Sequence, residues 1–306
     1  MNPLHVVAIL LVGVAATAGL WRSSPARPAT LRVVLIPADG GTEDGTIADY
    51  RPIFGAVARD TGLVFDLKVA QSYSAAVESL CNGTADIAFV GPVTFLQARK
   101  RGCAELLAVA VNSGKSVYYS AWFARRGTGI RTIADARGRR LALGDVNSTS
   151  AFVYPVAMLL KAGIDPARDT AAIRLTGSHA GNLSALIDNR VDLAAMSLES
   201  YGKAVRAGID GASDIVVVAR SEPIPNPPLI MNTKLPEPTK IKLRLAFQTI
   251  ADRRGVTPDM VRGYGGGRVD RYDTKFPLSG FDGVAATTAQ VSPHLVGRLL
   301  ARASER

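Results

Sequence analysis

The stretch Leu141-Ala142-Leu143-Gly144-Asp145-Val146-Asn147-Ser148-Thr149-Ser150-Ala151-Phe152 joins a short apolar run to the start of a long amphipathic segment. The run predicts a strand over residues 141–143. The segment predicts a helix over 151–162, closed by Gly163. The first N–H groups of a helix have no internal partner, and their dipoles sum to roughly half a positive charge at that end. Asn147 or Ser148 alone would be an ordinary N-cap. Three consecutive hydroxyls, Ser148, Thr149 and Ser150, exceed what capping needs and make a seat for a tetrahedral oxyanion. Pro155, in the second turn, is expected to bend that helix.

Outward from this stretch the chain alternates strand and helix. Residues 31–37 (LRVVLIP) and 85–90 (ADIAFV) are apolar runs of the kind buried on both faces of a sheet. Helical spacing is read over 49–61, 74–81 and 94–101, and strands over 63–69, 105–111 and 117–124. The series then repeats. A short helix is read over 133–137, strands over 171–175, 193–197 and 215–219, and helices over 182–188 and 201–207. The stretch 223–228 (PIPNPP) is too rich in proline for regular structure and reads as a stiff crossover. Helices over 240–253 and 292–302 follow. Two such series joined by a stiff return predict two α/β lobes, each a mostly parallel sheet flanked by helices, with a cleft between them. The expected organisation is lobe 1 over 31–120, lobe 2 over 121–222, and a return to lobe 1 with C-terminal helices over 223–306. Ligands of such sheets sit outside the carboxyl ends of strands, which directs attention to the loops there.

Before residue 31 the character changes. Residues 4–20 (LHVVAILLVGVAATAGL) carry no formal charge, and Ala16-Thr17-Ala18 has the small-x-small form of a signal-peptidase site. Residues 1–18 are therefore expected to be an export signal or a retained anchor, and 19–30 a linker, which places the body outside the cytoplasm. The formal net charge of the 306 residues is +10, but the arginines are scattered and no nucleic-acid motif accompanies them. The basic balance is read as a solvated surface that also favours an anionic solute. The two cysteines, Cys81 and Cys103, can pair in an oxidising compartment, and sequence alone leaves that open. Their spacing argues against a zinc site.

Other candidates lie in the same kind of loop. Gly177-Ser178-His179-Ala180-Gly181-Asn182 again lies between a strand and a helix, and His179 can donate to an anion or be a plain surface histidine. Thr94 opens a helix after Gly91-Pro92-Val93. Tyr73 opens another, and Tyr118 lies near the lobe crossover; each phenol offers a neutral donor and a flat wall, or packs in the core.

The order of these pieces resembles the phosphonate-, phosphite- and phosphate-binding proteins of ABC importers, over about residues 31–283. The resemblance is carried by ADIAFVGPVTFLQA (85–98), GIRTIADARGRRLALGDVNSTSAF (129–152), GSHAGNLSALIDNRVDLAA (177–195) and IPNPPLIM (224–231). It implies a periplasmic-binding-protein fold of type II with the ligand between the lobes. It also implies that Ser148, Thr149 and Ser150 hold phosphoryl oxygens, that His179 donates to the same group, and that Tyr73 and Tyr118 line the cleft. Glu199 would meet a ligand ammonium. Amine-reading members carry an acidic residue one position before a crossover proline, where this chain has Pro227. That departure favours phosphite, phosphate or a small alkyl phosphonate, and leaves Glu199 to accept from a protonated ligand oxygen or to pair elsewhere.

The expected function is capture of a small phosphorus oxyanion by a monomer and its delivery to an ABC permease with its ATPase subunits, without metal or cofactor. A membrane-anchored oxyanion sensor is the alternative. An enzyme on the same scaffold is disfavoured: Ser178 and His179 are neighbours in one loop, and neither a Gly-x-Ser-x-Gly elbow nor a His-Glu-x-x-His motif occurs.

Overall fold

A computed structural model describes residues 30–37 and 43–305. The leader and linker expectations for residues 1–29 lie outside the described residues. The chain opens with β1 (Thr30–Leu35), α1 (Glu43–Thr61), β2 (Val64–Val69), α2 (Tyr73–Cys81), β3 (Ile87–Phe89), α3 (Pro92–Lys100) and β4 (Ala104–Val111). Next come β5 (Val117–Tyr118) and β6 (Ser120–Arg125), then β7 (Arg140–Gly144), α4 (Tyr154–Lys161), α5 (Pro166–Asp169) and β8 (Ala172–Gly177). α6 (His179–Ile187), β9 (Leu193–Ser197), α7 (Leu198–Arg206) and β10 (Ile215–Arg220) complete this series. The return is made by β11 (Ile224–Pro225), β12 (Leu229–Asn232), α8 (Glu237–Thr249) and β13 (Arg271–Asp273), before α9 (Asp282–Gln290) and α10 (Pro293–Ser304).

Two sheets result. The first lobe holds six strands in the order β13-β4-β12-β3-β1-β2, and the second holds five in the order β10-β6-β9-β7-β8. Both are mixed rather than mostly parallel. β1 pairs in parallel with β2 and β3, and β7 with β8 and β9, as βαβ crossovers require. The antiparallel pairs arise where the chain comes back: β12 inserts between β3 and β4, and β6 enters the second sheet beside β9. Runs such as β4 (AELLAVAV) and β9 (LAAMS) are almost wholly buried because helices cover both faces.

Three further expectations need correction. The strand read over 117–124 is broken at Tyr119 into β5 and β6, because the chain leaves one lobe for the other there. The crossover PIPNPP is not devoid of regular structure: Ile224 and Pro225 pair with Tyr118 and Val117, so the lobes are hinged by a two-stranded ribbon. Proline is admitted in this short ribbon because it belongs to neither main sheet. Pro155 lies in the first turn of α4, directly after a π-helical turn over Thr149–Val153, rather than in the second turn of one continuous α-helix.

Each lobe has its own core. Val33, Leu35, Ile53, Phe54, Leu107 and Phe247 lie in the first. The second lobe packs both faces of its sheet, one around Trp122, Leu141 and Phe152, the other around Phe123, Leu186 and Met196. The C-terminal helices α9 and α10 cover the former face through Val284, Leu295 and Leu299. Cys81 and Cys103 form a disulfide within the first lobe, joining the end of α2 to the loop before β4. Among the described residues no helix is long and apolar enough to cross a membrane.

Candidate functional site

The carboxyl ends of β3, β7, β8 and β9 run directly into the starts of α3, of the segment before α4, of α6 and of α7. Helix N-termini from both lobes therefore line the cleft, where the positive ends of the helix dipoles favour negative charge. The segment between β7 and α4 is unusual. Thr149–Val153 forms a π-helical turn: Val153 N–H donates to the Ser148 carbonyl at 3.0 Å, and Tyr154 N–H donates to the Thr149 carbonyl. In that register the Ser150 carbonyl would look to residue 155, which is proline and has no N–H. Ser120 Oγ supplies the missing donor at 2.7 Å. The wider turn and Pro155 thus act together, and Ser120 of β6 satisfies the carbonyl they leave over.

Ser148, Thr149 and Ser150 are 1%, 1% and 3% exposed. Ser148 Oγ accepts from Ala151 N–H at 3.1 Å, an N-cap bond that leaves its own hydrogen available for donation. Thr149 Oγ1 accepts from Val93 N–H at 2.9 Å, across the cleft from the first turn of α3. Ser150 shares a hydrogen bond with the Tyr118 hydroxyl. Gly91 allows this approach, since a Cβ there would lie 3.1 Å from Thr149 Oγ1. None of these groups bears a formal charge.

The two acceptor-bearing residues of the same motif face the opposite lobe. Asp145 accepts from Asn147 N–H at 2.8 Å and from Tyr73 N–H at 3.3 Å. Asn147 donates to Ser74 Oγ at 2.9 Å, and its Oδ1 accepts from Gln97 Nε2 at 2.8 Å. Thr94 Oγ1 donates to the Asn147 carbonyl at 3.2 Å. Asp145 and Asn147 therefore clasp the first lobe; of the two N-caps the sequence offered, Ser148 is the one used.

Tyr73 and Tyr118 are both buried at the cleft. Burial pushes the Tyr118 phenol well above the usual tyrosine range; the Ser150 bond opposes this, and Glu199 and Tyr73 add to it. Tyr118 is therefore a fixed neutral donor, and Glu199, at the start of α7, lies near it. His179 is 2% exposed, and burial lowers its pKa to about 3. Its Nδ1 accepts from Ser197 N–H at 3.1 Å, so the one ring proton of the neutral form sits on Nε2. Nε2 lies 3.0 Å from the hydroxyl of Tyr264.

Tyr264 was not legible as a site residue. It stands in Gly263-Tyr264-Gly265-Gly266-Gly267, a first-lobe loop. Its hydroxyl also lies 3.1 Å from Ser197 Oγ and 3.0 Å from Ser200 Oγ, and its ring meets Tyr118 edge-on at 5.4 Å. The only signal was an aromatic residue inside a glycine run. Beside it, Lys203 of α7 pairs with Asp49 of α1, and Arg206 donates to the Gly265 carbonyl at 3.3 Å, both across the cleft. Gly266 has φ +65°, and a Cβ there would lie 2.5 Å from Asp49 Oδ1.

A family described as the periplasmic substrate-binding protein of phosphonate ABC transporters matches residues 41–266. Over 141 residues the chain is 29% identical to the phosphate-import protein PhnD of Mycolicibacterium smegmatis, spanning 45% of this chain and 43% of that protein. Over 215 residues it is 24% identical to the phosphonates-binding periplasmic protein of Escherichia coli, spanning 69% of this chain and 62% of that protein. The matched stretches thus span less than two thirds of either curated relative. In three dimensions it resembles the binding-protein component of a phosphonate ABC transporter from Pseudomonas aeruginosa, with TM-score 0.76, 20% identity, and coverage of 91% of this chain and 95% of that one.

Proposed function

The chain belongs to the family of periplasmic substrate-binding proteins of phosphonate ABC transporters, and from that premise we propose that it captures a small phosphorus oxyanion between its lobes and presents it to an ABC permease outside the cytoplasm. The observation that carries this reading is the π-helical turn at Thr149–Val153, with three buried hydroxyls grouped at its start. Neutral donors and helix amides bind a dehydrated tetrahedral anion without a competing cation, and each charge-assisted hydrogen bond contributes roughly 1.5–3 kcal/mol. Lobe closure removes water and raises the worth of every such bond. Captured anion and closed lobes together form the species a permease would recognise. We place Tyr73, Thr94 and Tyr118 around the seat as the first-lobe and hinge walls.

The ligand we favour lacks an amine. The crossover offers Pro227 where an acidic residue would meet an ammonium, and the neighbouring Asn226 side chain donates to the Ala110 carbonyl at 2.9 Å. Glu199 then serves as acceptor for a protonated ligand oxygen, which selects a singly protonated anion. Phosphite, methylphosphonate and phosphate fit this description; 2-aminoethylphosphonate does not. We read the protein as a binder and not an enzyme: Ser197 N–H takes the His179 Nδ1 lone pair, and Nε2 carries the ring proton, so this imidazole offers no free lone pair to activate a hydroxyl as nucleophile.

Calorimetric titration of the purified chain with these four anions tests the reading. Binding of at least one of the three amine-free ions is expected, with weaker binding of the aminoalkyl compound and, for phosphite and methylphosphonate, weaker binding above the second ionisation, where the last acidic proton is lost. Serine and threonine removal in S148A/T149A is expected to weaken binding about 100-fold or more. Unaltered affinity in that variant would sink the assigned seat.

A further inference from the structure

A cavity of about 570 Å³ opens between α4, the end of β10 and α9. None of the residues proposed for the seat lines it. We propose that this cavity is a second ligand site, and that it takes a small carboxylate with an apolar, aromatic body.

The volume lies within the roughly 300–1,000 Å³ typical of small-molecule sites. The walls are fixed by the second-lobe core, into which Val156 and Leu159 of α4, Ala219 of β10 and Val284 of α9 pack. Tyr154 of α4 shares a hydrogen bond with Thr287 of α9, which ties two of the walls together. Burial raises the Tyr154 phenol above the usual tyrosine range, so it stays neutral and repels no anion.

The lining divides into an apolar part and a charged part. Ile133, Ala157, Met158 and Pro223 supply the apolar part. The Met158 thioether is soft and adaptable, and sulfur packs well against an aromatic ring. Lys161 and Arg220 supply the charge, and both are exposed. Among the described residues neither has an ion-pair partner, and Glu222, the acid on the lining, lies within ion-pairing distance of neither. The Arg220 guanidinium lies over the Tyr119 ring, 4.5 Å from its centroid. A guanidinium held on a ring face keeps its in-plane N–H donors for another partner, and a planar carboxylate matches that fork. Lys161 adds a point charge beside it. Two cations against one acid, at an apolar cavity, complement an amphipathic anion: its head meets the fork and its ring meets Met158. An inorganic oxyanion has no apolar body to fill this space, so the site differs in chemistry from the seat.

Methionine methyl spectra of the purified chain, labelled with carbon-13, test this with benzoate as the probe. Met158 is the methionine on the cavity wall, so its signal reports occupancy. Benzoate is expected to move that signal saturably. Benzamide, with the same ring and no charge, is expected to bind about tenfold more weakly. K161Q/R220Q changes two exposed positions; it is expected to keep the melting temperature and to bind benzoate about tenfold more weakly. S148A/T149A is expected to bind benzoate as the wild type does. A Met158 signal that benzoate leaves in place would overturn the proposal. So would equal binding of benzamide, or unaltered affinity in K161Q/R220Q. Loss of benzoate binding in S148A/T149A would put the carboxylate in the interlobe cleft and reject the second site. A Met158 signal that follows protein concentration without ligand would mean that a second copy covers this face, and would reject it too.

Discussion

His179 ties a candidate site position to the stability of the fold. Its pKa is lowered to about 3 by burial, so the folded chain keeps it neutral while an unfolded chain protonates it near 6.5. Between those values the unfolded state binds more protons, so stability rises with pH in this window and is lost on acidification. From this residue alone, stability is expected to fall by about 1.4 kcal/mol per pH unit below roughly pH 6. Denaturant titrations at pH 7, 6 and 5 should show that His179→Asn flattens the slope relative to wild type. Parallel slopes would place the imidazole in water. His179 was visible in the sequence by rarity and by position after a strand. Its orientation was not, because the partner that receives its proton lies 85 residues away in a glycine run. Composition cannot say which nitrogen of a histidine is already committed.

At the scale of elements, the segment from β7 into α4 combines three local preferences. Small residues close the strand, hydroxyls start the helix, and Pro155 shifts the hydrogen-bond register. Gly144 is required because a Cβ there would lie 2.7 Å from the Ala151 Cβ. G144A is expected to lose about 1–3 kcal/mol by overpacking, and to weaken anion binding by displacing the turn, measurable by denaturation and calorimetry together. S120A leaves the Ser150 carbonyl buried without its hydroxyl donor and is expected to cost about 1–3 kcal/mol. Most of these elements were legible, since apolar runs and helical spacing are local. The π turn was not, because it depends on Ser120, which comes from another strand. The return strands β12 and β13 were hidden for a related reason. LIMN and RYD are too short to show a period, and only their pairing with β4 and β3 makes them strands.

At the scale of the whole molecule, the lobes are held together by contacts that surround the proposed seat without belonging to it. Lys203 and Asp49 pair across the cleft, both largely buried. Removing the ammonium leaves Asp49 unpaired in the closed form only, so K203A is expected to favour opening. It should lower anion affinity about tenfold, through the smaller closed fraction, and raise the radius of gyration in solution scattering. Unchanged scattering and affinity would deny the pair a role in closure. The disulfide acts elsewhere: Cys81 and Cys103 are 22 residues apart within the first lobe. By chain entropy their link contributes about 3 kcal/mol, so reduction should lower the melting temperature while leaving saturated anion binding intact. The two-lobed plan was readable from repeated βα order and a proline-rich return. The clasp between lobes was not, because Asp145, Asn147, Lys203 and Asp49 look like ordinary surface polar residues until the lobes are brought together. A crystal of the chain grown with methylphosphonate would bear most directly on all of this. The phosphorus should lie within hydrogen-bonding reach of the hydroxyls of Ser148, Thr149 and Ser150; an anion bound anywhere else, with those three hydroxyls unliganded, would contradict it.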